Sequence, residues 1–289
     1  MSFDAPIGIF DSGLGGLTVA KKVLDRLPRE SIAYAGDEIN IPYGERSAQE
    51  IRSLALGITE FLIGRKAKLV IMACNMSSAT ALSAAQEAFP DVPVIGVIEA
   101  GVRAAVRAAT GAPIGVLATT GTVKTGAYAR LISCFLPETP VYEQACPKFV
   151  SLVEAGAWDT PKAEDAVREY ASPLLDAGCR TLILGCTHYP FLADTIRRAA
   201  GPGVALIDPA EETAVEAANI LFDAGVLNPP HVEPVHSYFT SARPDKFAEL
   251  GSRFMGRTIR GVEQITWGLD LRAIEWQEKT VEPTTKSAR

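Results

Sequence analysis

Leu69-Val-Ile-Met-Ala-Cys-Asn-Met76 and Thr181-Leu-Ile-Leu-Gly-Cys-Thr-His188 are the stretches whose reading decides the fold. Each is an apolar run of β-forming residues that ends at a cysteine, Cys74 or Cys186, followed by small or polar residues that could open a helix. Uninterrupted apolar runs of this length belong to strands covered on both faces, as in parallel sheets flanked by helices. A thiol at such a strand end, facing a helix N-terminus, has its thiolate stabilised by free backbone N–H groups and by the helix dipole. Two such thiols on matched halves could face each other across one pocket. Opposed acid/base groups of one kind suit a reaction that takes a proton from one face of a carbon and returns it to the other.

The matching extends beyond the cysteines. Val92-Pro-Val-Ile-Gly-Val-Ile-Glu99 echoes Val204-Ala-Leu-Ile-Asp-Pro-Ala-Glu211 at an offset of 112, the offset that also separates Cys74 from Cys186. Pro6-Ile-Gly-Ile-Phe-Asp-Ser-Gly13 echoes Pro113-Ile-Gly-Val-Leu-Ala-Thr-Thr120 at an offset of 107. Buried strands are all rich in Val and Ile, so chance likeness is the plain alternative. The common order of three pairs argues instead for two similar α/β units, larger than the repeats of a solenoid.

Between these landmarks strand and helix patterns alternate. Strands are expected at 6–10, 31–36, 69–73, 92–97, 114–118, 141–145, 181–184 and, last, 237–240. Helices are expected at 17–27, 47–65, 149–156, 163–177, 191–200 and 210–224, with others between the central strands. Ser47 and Glu50 form a capping-box pattern. Such alternation implies parallel βαβ units. The fold class is therefore α/β, with two similar doubly wound domains related by a pseudo-twofold and the active site in the cleft between them. Residues 1–97 with 209–275 are assigned to the first domain and 98–208 to the second, with 276–289 as a flexible tail. Ligands of open α/β sheets sit beyond the carboxyl ends of the strands. Asp11, Cys74, Thr119 and Cys186 all fall at such ends.

Composition narrows the class. The 289 residues are 47% apolar and 21% charged, ordinary globular material, with a net charge of −6. Lys and Arg are scattered, which argues against nucleic acid or an anionic membrane as partner. No apolar run is long enough for a membrane span and no signal peptide is evident. Five cysteines at irregular spacing fit reduced cytoplasmic thiols, not a disulfide framework.

Single motifs carry competing readings. Asp11-Ser-Gly-Leu-Gly-Gly16 lacks the Gly-x-Gly-x-x-Gly spacing of a dinucleotide site. It reads as a tight turn and helix cap, or as a backbone that approaches a small anion with Asp11 and Ser12 reaching into the cleft. Cys74 and Cys186 read as packed core or as reactive thiols, and His188 as a proton-handling partner of Cys186. Too few Cys and His ligands lie nearby for a metal site. Pro42-Tyr-Gly44 reads as a β-turn, or as Tyr43 and Gly44 N–H groups that bind a carboxylate. Glu154 reads as an exposed helix acid. His231 and His236 read as surface residues, and Cys134, Cys146 and Cys179 as core or incidental.

Taken together, Phe10–Leu17, Pro42–Gly44, Ala73-Cys-Asn75, Leu184-Gly-Cys-Thr-His-Tyr-Pro190 and Ile207–Thr213 resemble glutamate racemase, of the cofactor-independent aspartate/glutamate racemases. Ala145-Cys-Pro-Lys-Phe-Val150 and Glu154 resemble it too, and the likeness runs from about Pro6 to Gly268. The resemblance implies interconversion of L- and D-glutamate without a cofactor, supplying D-glutamate for peptidoglycan. It implies that Cys186 deprotonates L-glutamate and that Cys74 reprotonates the other face, the roles reversing for D-glutamate. It further implies that Asp11, His188 and Glu154 assist the thiols. On the same resemblance Asp11, Ser12, Tyr43, Gly44, Asn75, Met76, Thr187 and His188 would form the substrate site. Members of the family are often dimeric, so a homodimer is the implied assembly, in the cytoplasm. The family usually has Thr where this chain has Met76. That change keeps open a racemase of aspartate or another amino acid. The N-terminus lacks the extension some activator-dependent members carry, so activation by a cell-wall precursor is not expected.

Three rivals remain. A one-base decarboxylase or isomerase of the same superfamily needs only one of the cysteines. A cysteine hydrolase needs a Cys–His pair and an oxyanion hole but not Cys74. A non-catalytic binding protein needs the cleft but neither thiol.

Overall fold

A computed structural model describes residues 2–268 and 273–275. In chain order the elements are β1 (Ile7–Asp11), α1 (Leu17–Arg26), β2 (Ile32–Gly36), α2 (Ala48–Gly64), β3 (Leu69–Met72), α3 (Asn75–Ala88), β4 (Val94–Gly96) and α4 (Val97–Ala108). The pattern restarts with β5 (Ile114–Ala118), α5 (Thr120–Thr125), α6 (Ala127–Phe135), β6 (Val141–Ala145), α7 (Pro147–Glu154), α8 (Pro161–Asp176), β7 (Thr181–Gly185), α9 (Ala193–Ala200) and β8 (Ala205–Ile207). It ends with α10 (Pro209–Asp223), β9 (His236–Thr240), α11 (Pro244–Met255), β10 (Glu263–Gln264), β11 (Thr266–Trp267) and β12 (Ile274–Glu275).

The first sheet runs β10-β9-β2-β1-β3-β4 and the second β6-β5-β7-β8, every adjacent pair being parallel. The order β2-β1-β3-β4 is thus repeated as β6-β5-β7-β8. The three echoed segments of the sequence are β1 and β5, β3 and β7, β4 and β8. Every residue of β1, β2, β3, β5 and β7 is buried, as strands sandwiched between helix layers require. This is an α/β fold of two domains.

The chain then returns: β9 pairs with β2 and extends the first sheet. Between the sheets α10 packs against α1 and α4. It is tied to them by Lys22–Glu211 at 2.7 Å and by the pairs Arg103–Glu216 and Arg107–Glu212.

Several expected elements needed correction. The strand expected at 92–97 stops at Gly96, where α4 begins. The helix expected at 191–200 opens with a 3-10 turn at Tyr189–Leu192 and becomes α-helical only at Ala193. Pro190, which cannot donate an N–H, sits in that first turn. The strand at 237–240 is not the last, since β10 adds beyond it. α11 was not expected at all. Its signals were nevertheless present: Pro244 in the first turn, buried Phe247, Gly251, Phe254 and Met255 at helical spacing, and Gly256 at φ 65° as the left-handed stop. His236 lies in β9 and is half-buried, not a surface residue; His231 is exposed. The capping box is as read, with Glu50 N donating to Ser47 Oγ and Ser47 N to Glu50 Oε2. The tail expected at 276–289 lies outside the described residues.

Candidate active site

Four parallel strand ends build the candidate site. β1 delivers Asp11 at its last position, and the turn Ser12–Gly16 follows it. β3 delivers Cys74, which occupies the N-cap of the 14-residue helix α3. β5 delivers Thr119, whose hydroxyl accepts from Thr122 N and caps α5. β7 delivers Cys186, followed by Thr187 and His188. Cys74, Cys186, Asp11, Asn75, Met76, Thr187 and His188 are all buried.

The hydrogen-bonding contacts of Cys74 are backbone and hydroxyl. Its thiol donates to Ser12 Oγ at 3.6 Å. Burial first, then the nearby Asp11 carboxylate, push this thiol up to about 11; the Ser77 N–H in the first turn of α3 and the Ser12 hydroxyl act the other way. Asn75 opens the helix and its Oδ1 accepts from Tyr128 OH at 2.8 Å. Met76 packs with Cys74, Tyr43 and Trp267 in an apolar cluster.

The surroundings of Cys186 are an imidazole and a carboxylate. Cys186 Sγ lies 3.9 Å from His188 Nδ1, and His188 Nε2 lies 3.4 Å from Glu154 Oε1 at the end of α7. Burial alone would hold the imidazole neutral. Cys186, Glu154 and Asp11 together outweigh it and raise His188 to about 10. Phe254, from the unexpected helix α11, packs roughly perpendicular to the imidazole with ring centroids 5.6 Å apart. Asp11 is itself pushed up by burial, with His188 and the Gly13, Gly16 and Ser12 N–H groups acting against that.

Two glycines let the domains approach here. A Cβ on Gly15 would overlap Thr187 Oγ1 and stand 2.6 Å from His188 Nδ1. A Cβ on Gly121 would stand 2.6 Å from Gly44 Cα and 3.0 Å from Met76 Sδ. The loop 40–44 is therefore pressed against the start of α5.

In that loop Tyr43 is buried and its hydroxyl donates to Asp37 Oδ2 at 2.7 Å. What Tyr43 and Gly44 offer are the leading N–H groups of a 3-10 turn, which have no partner within the turn. Asp37, just after β2, also accepts from Asn40 Nδ2 and from Trp267 Nε1 at 2.7 Å. Asp37, Trp267, Tyr128, Thr18, Gly15 and Gly121 were not singled out as separate site residues from the sequence. Asp37 and Gly15 carried a signal, a polar residue at a strand end and a glycine in the first turn. Tyr128 and Trp267 carried none.

The remaining cysteines fall outside the site. Cys146 and Cys179 are buried and Cys134 is exposed. Among the described residues no helix is long and apolar enough to cross a membrane.

Comparison with known proteins gives a consistent picture. The family model for Asp/Glu/hydantoin racemase matches residues 15–217. The chain is 42% identical to the glutamate racemase of Syntrophus aciditrophicus, over 90% of this chain and 96% of that protein. Among solved structures it is similar to a glutamate racemase isoform from Bacillus anthracis, with a TM-score of 0.85 and 38% identity over 93% of this chain and 98% of the other. It is equally close in shape to the Francisella tularensis glutamate racemase solved with D-glutamate, with a TM-score of 0.85 and 36% identity over 91% of this chain and 98% of the other.

Proposed function

The chain belongs to the Asp/Glu/hydantoin racemase family and, within it, to the glutamate racemases, cofactor-independent amino-acid isomerases, and on that premise we propose that Cys74 and Cys186 carry its proton transfers. The observation that carries this reading is their placement on equivalent strand ends of two sheets with the same strand order. Cys186 sulfur takes the α-proton of L-glutamate, leaving a carbanion, and the Cys74 thiol gives its proton to the opposite face. For D-glutamate the roles reverse. The α-hydrogen of an amino acid is a very weak acid, so the base must be desolvated and the developing charge met by fixed donors. Both thiols are buried.

His188 supplies a cation beside Cys186, held there by Glu154, and this is the partner a thiolate base needs. Asp11 lies within electrostatic reach of both His188 and Cys74. Ser12, Asn75, Thr187 and the Tyr43 and Gly44 N–H groups hold the substrate's amino and carboxylate groups, with Met76 packed beside them. The similarity just described favours glutamate over aspartate or another amino acid, despite Met76. D-glutamate made in the cytoplasm would feed peptidoglycan, so loss of the protein would impose a D-glutamate requirement. A homodimer is the proposed assembly, to be read by sedimentation. Residues 1–97 with 209–275, and 98–208, are proposed as the two domains, supported by the return of β9 to β2.

The test is L-glutamate incubated with pure protein in D2O without cofactor, following optical rotation and α-deuterium together. Loss of rotation with deuterium uptake, abolished by Cys74→Ala and by Cys186→Ala, is expected. Absence of both signals would overturn glutamate as substrate. Racemisation surviving either substitution would overturn the two-thiol mechanism.

A further inference from the structure

We propose that Tyr128 and Thr18 are positioning residues, each reaching from one domain to hydrogen-bond the residue that follows the other domain's cysteine. Closing the domains thereby sets where both thiols stand. The inference rests on the two-thiol reading above.

The two contacts are reciprocal. Tyr128 lies on α6, packed on the second sheet, and donates to Asn75 Oδ1, which directly follows Cys74 on the first. Thr18 lies on α1, packed on the first sheet, and donates to Thr187 O at 3.0 Å, directly following Cys186 on the second. The Thr18 hydroxyl is shared with Gly15 O at 2.9 Å, which joins the glycine turn after Asp11 to the same peptide. Tyr128 is fully buried and Thr18 nearly so. Burial, then Glu99 and Cys186, keep the Tyr128 phenol protonated, so it remains a donor at all working pH.

Each hydroxyl donates to its neighbour and acts through it. Asn75 is the first residue of the helix whose N-cap is Cys74, so a shift of Asn75 moves the thiol and its N–H partners together. Thr187 links Cys186 to His188, so a shift of its carbonyl alters the sulfur-to-imidazole geometry. Reacting groups displaced by about 1 Å can lose about a hundredfold in rate.

Opposite isotope signatures separate positioning from plain packing. Tyr128→Phe keeps the ring and loses only the donor. It is expected to lower kcat/KM about tenfold in both directions, as one lost hydrogen bond to a reacting turn warrants. It raises the barrier at the Cys74 face. The α-deuterium isotope effect should therefore grow with D-glutamate, whose proton Cys74 removes, and shrink with L-glutamate. Thr18→Val should give the mirror image, and Thr18→Ser, which keeps the hydroxyl, should restore wild-type values. Thermal melts confirm that the variants fold; if Tyr128→Phe does not, the Thr18 pair decides alone. Unchanged rates, or isotope effects that move the same way in both variants, would overturn the proposal. Cys74→Ala and Cys186→Ala run alongside: racemisation surviving in either would show that the two-thiol reading itself had failed.

Discussion

Cys74 and Cys186 stand on equivalent strand ends, but the thiol of one is contacted by backbone and hydroxyl, while the other meets an imidazole that is itself paired with a carboxylate. Cys74 caps a regular helix, so the charge that favours its thiolate is the fixed partial charge of N–H groups. The segment after Cys186 delays its helix until Ala193, and the intervening turn carries His188 to the sulfur. Duplication of the βαβ pattern accounts for the shared geometry. The short insertion of turn between strand and helix accounts for the different chemistry. One thiol thus has support that does not titrate, and the other has support that does.

His188→Asn tests the titrating side and should give the largest effect. Removal of a positioned proton-handling group costs about 10²–10⁴ in rate, read as kcat in steady-state racemisation. The pH profile sharpens the point. His188 is raised, so the imidazolium persists through neutral pH and is lost as pH rises through about 10. The wild-type kcat/KM should fall on that alkaline limb, and the variant's residual activity should lack it. A variant with wild-type kcat would remove the basis of the comparison.

Gly15→Ala and Gly121→Ala strike the two sides in turn. The new methyl at Gly15 meets Thr187 and His188 side chains, beside Cys186. That substitution should cost about a hundredfold in kcat, the price of a roughly 1 Å displacement of reacting groups. The methyl at Gly121 meets Gly44 backbone, which bears one of the two N–H groups proposed for substrate. There the loss should appear mainly in KM, about tenfold by the same reasoning. Equal effects on kcat from both would mean that the two glycines merely space the domains.

The same asymmetry explains what could be read from sequence. Both cysteine strands were legible because a parallel strand buried on two faces is a bare apolar run ending at its site residue. Ser47 and Glu50 announced a helix start because capping is local chemistry. Asp37 and Trp267, 230 residues apart yet 2.7 Å from one another, were not legible, since only tertiary folding brings them together. Tyr128 was hidden for the same reason. The signals of α11 were local ones, its helical spacing and its stop at Gly256. The delay of the helix after Cys186 followed from Pro190 but needed the backbone to be seen.

Glu154→Gln probes the outer end of the Cys186 arrangement and should do less. Glu154 helps to raise His188 from 3.4 Å, but its side chain is half exposed, where water and salt weaken the pair. The alkaline limb of kcat/KM should move to lower pH while kcat near neutrality falls only severalfold, by about 0.5–1 kcal/mol. An unmoved limb would mean that Cys186 and Asp11 alone hold the proton on His188.

Ser12→Ala should be the mildest change, and it is the one that tests the other side of the comparison. The Cys74–Ser12 contact is long, 3.6 Å to sulfur, and neutral. A typical hydrogen bond contributes about 0.5–1.5 kcal/mol, which is about two- to tenfold in rate. If the N-terminus of α3 is the main support of the Cys74 thiolate, kcat should fall within that range. The pH profile should keep its shape, because no titrating group has been removed. The α-deuterium isotope effect should rise slightly with D-glutamate and not with L-glutamate. A loss beyond a hundredfold would mean that a single hydroxyl does for Cys74 what His188 does for Cys186. The two halves would then be alike in chemistry as well as in strand order, and the helix terminus would be incidental.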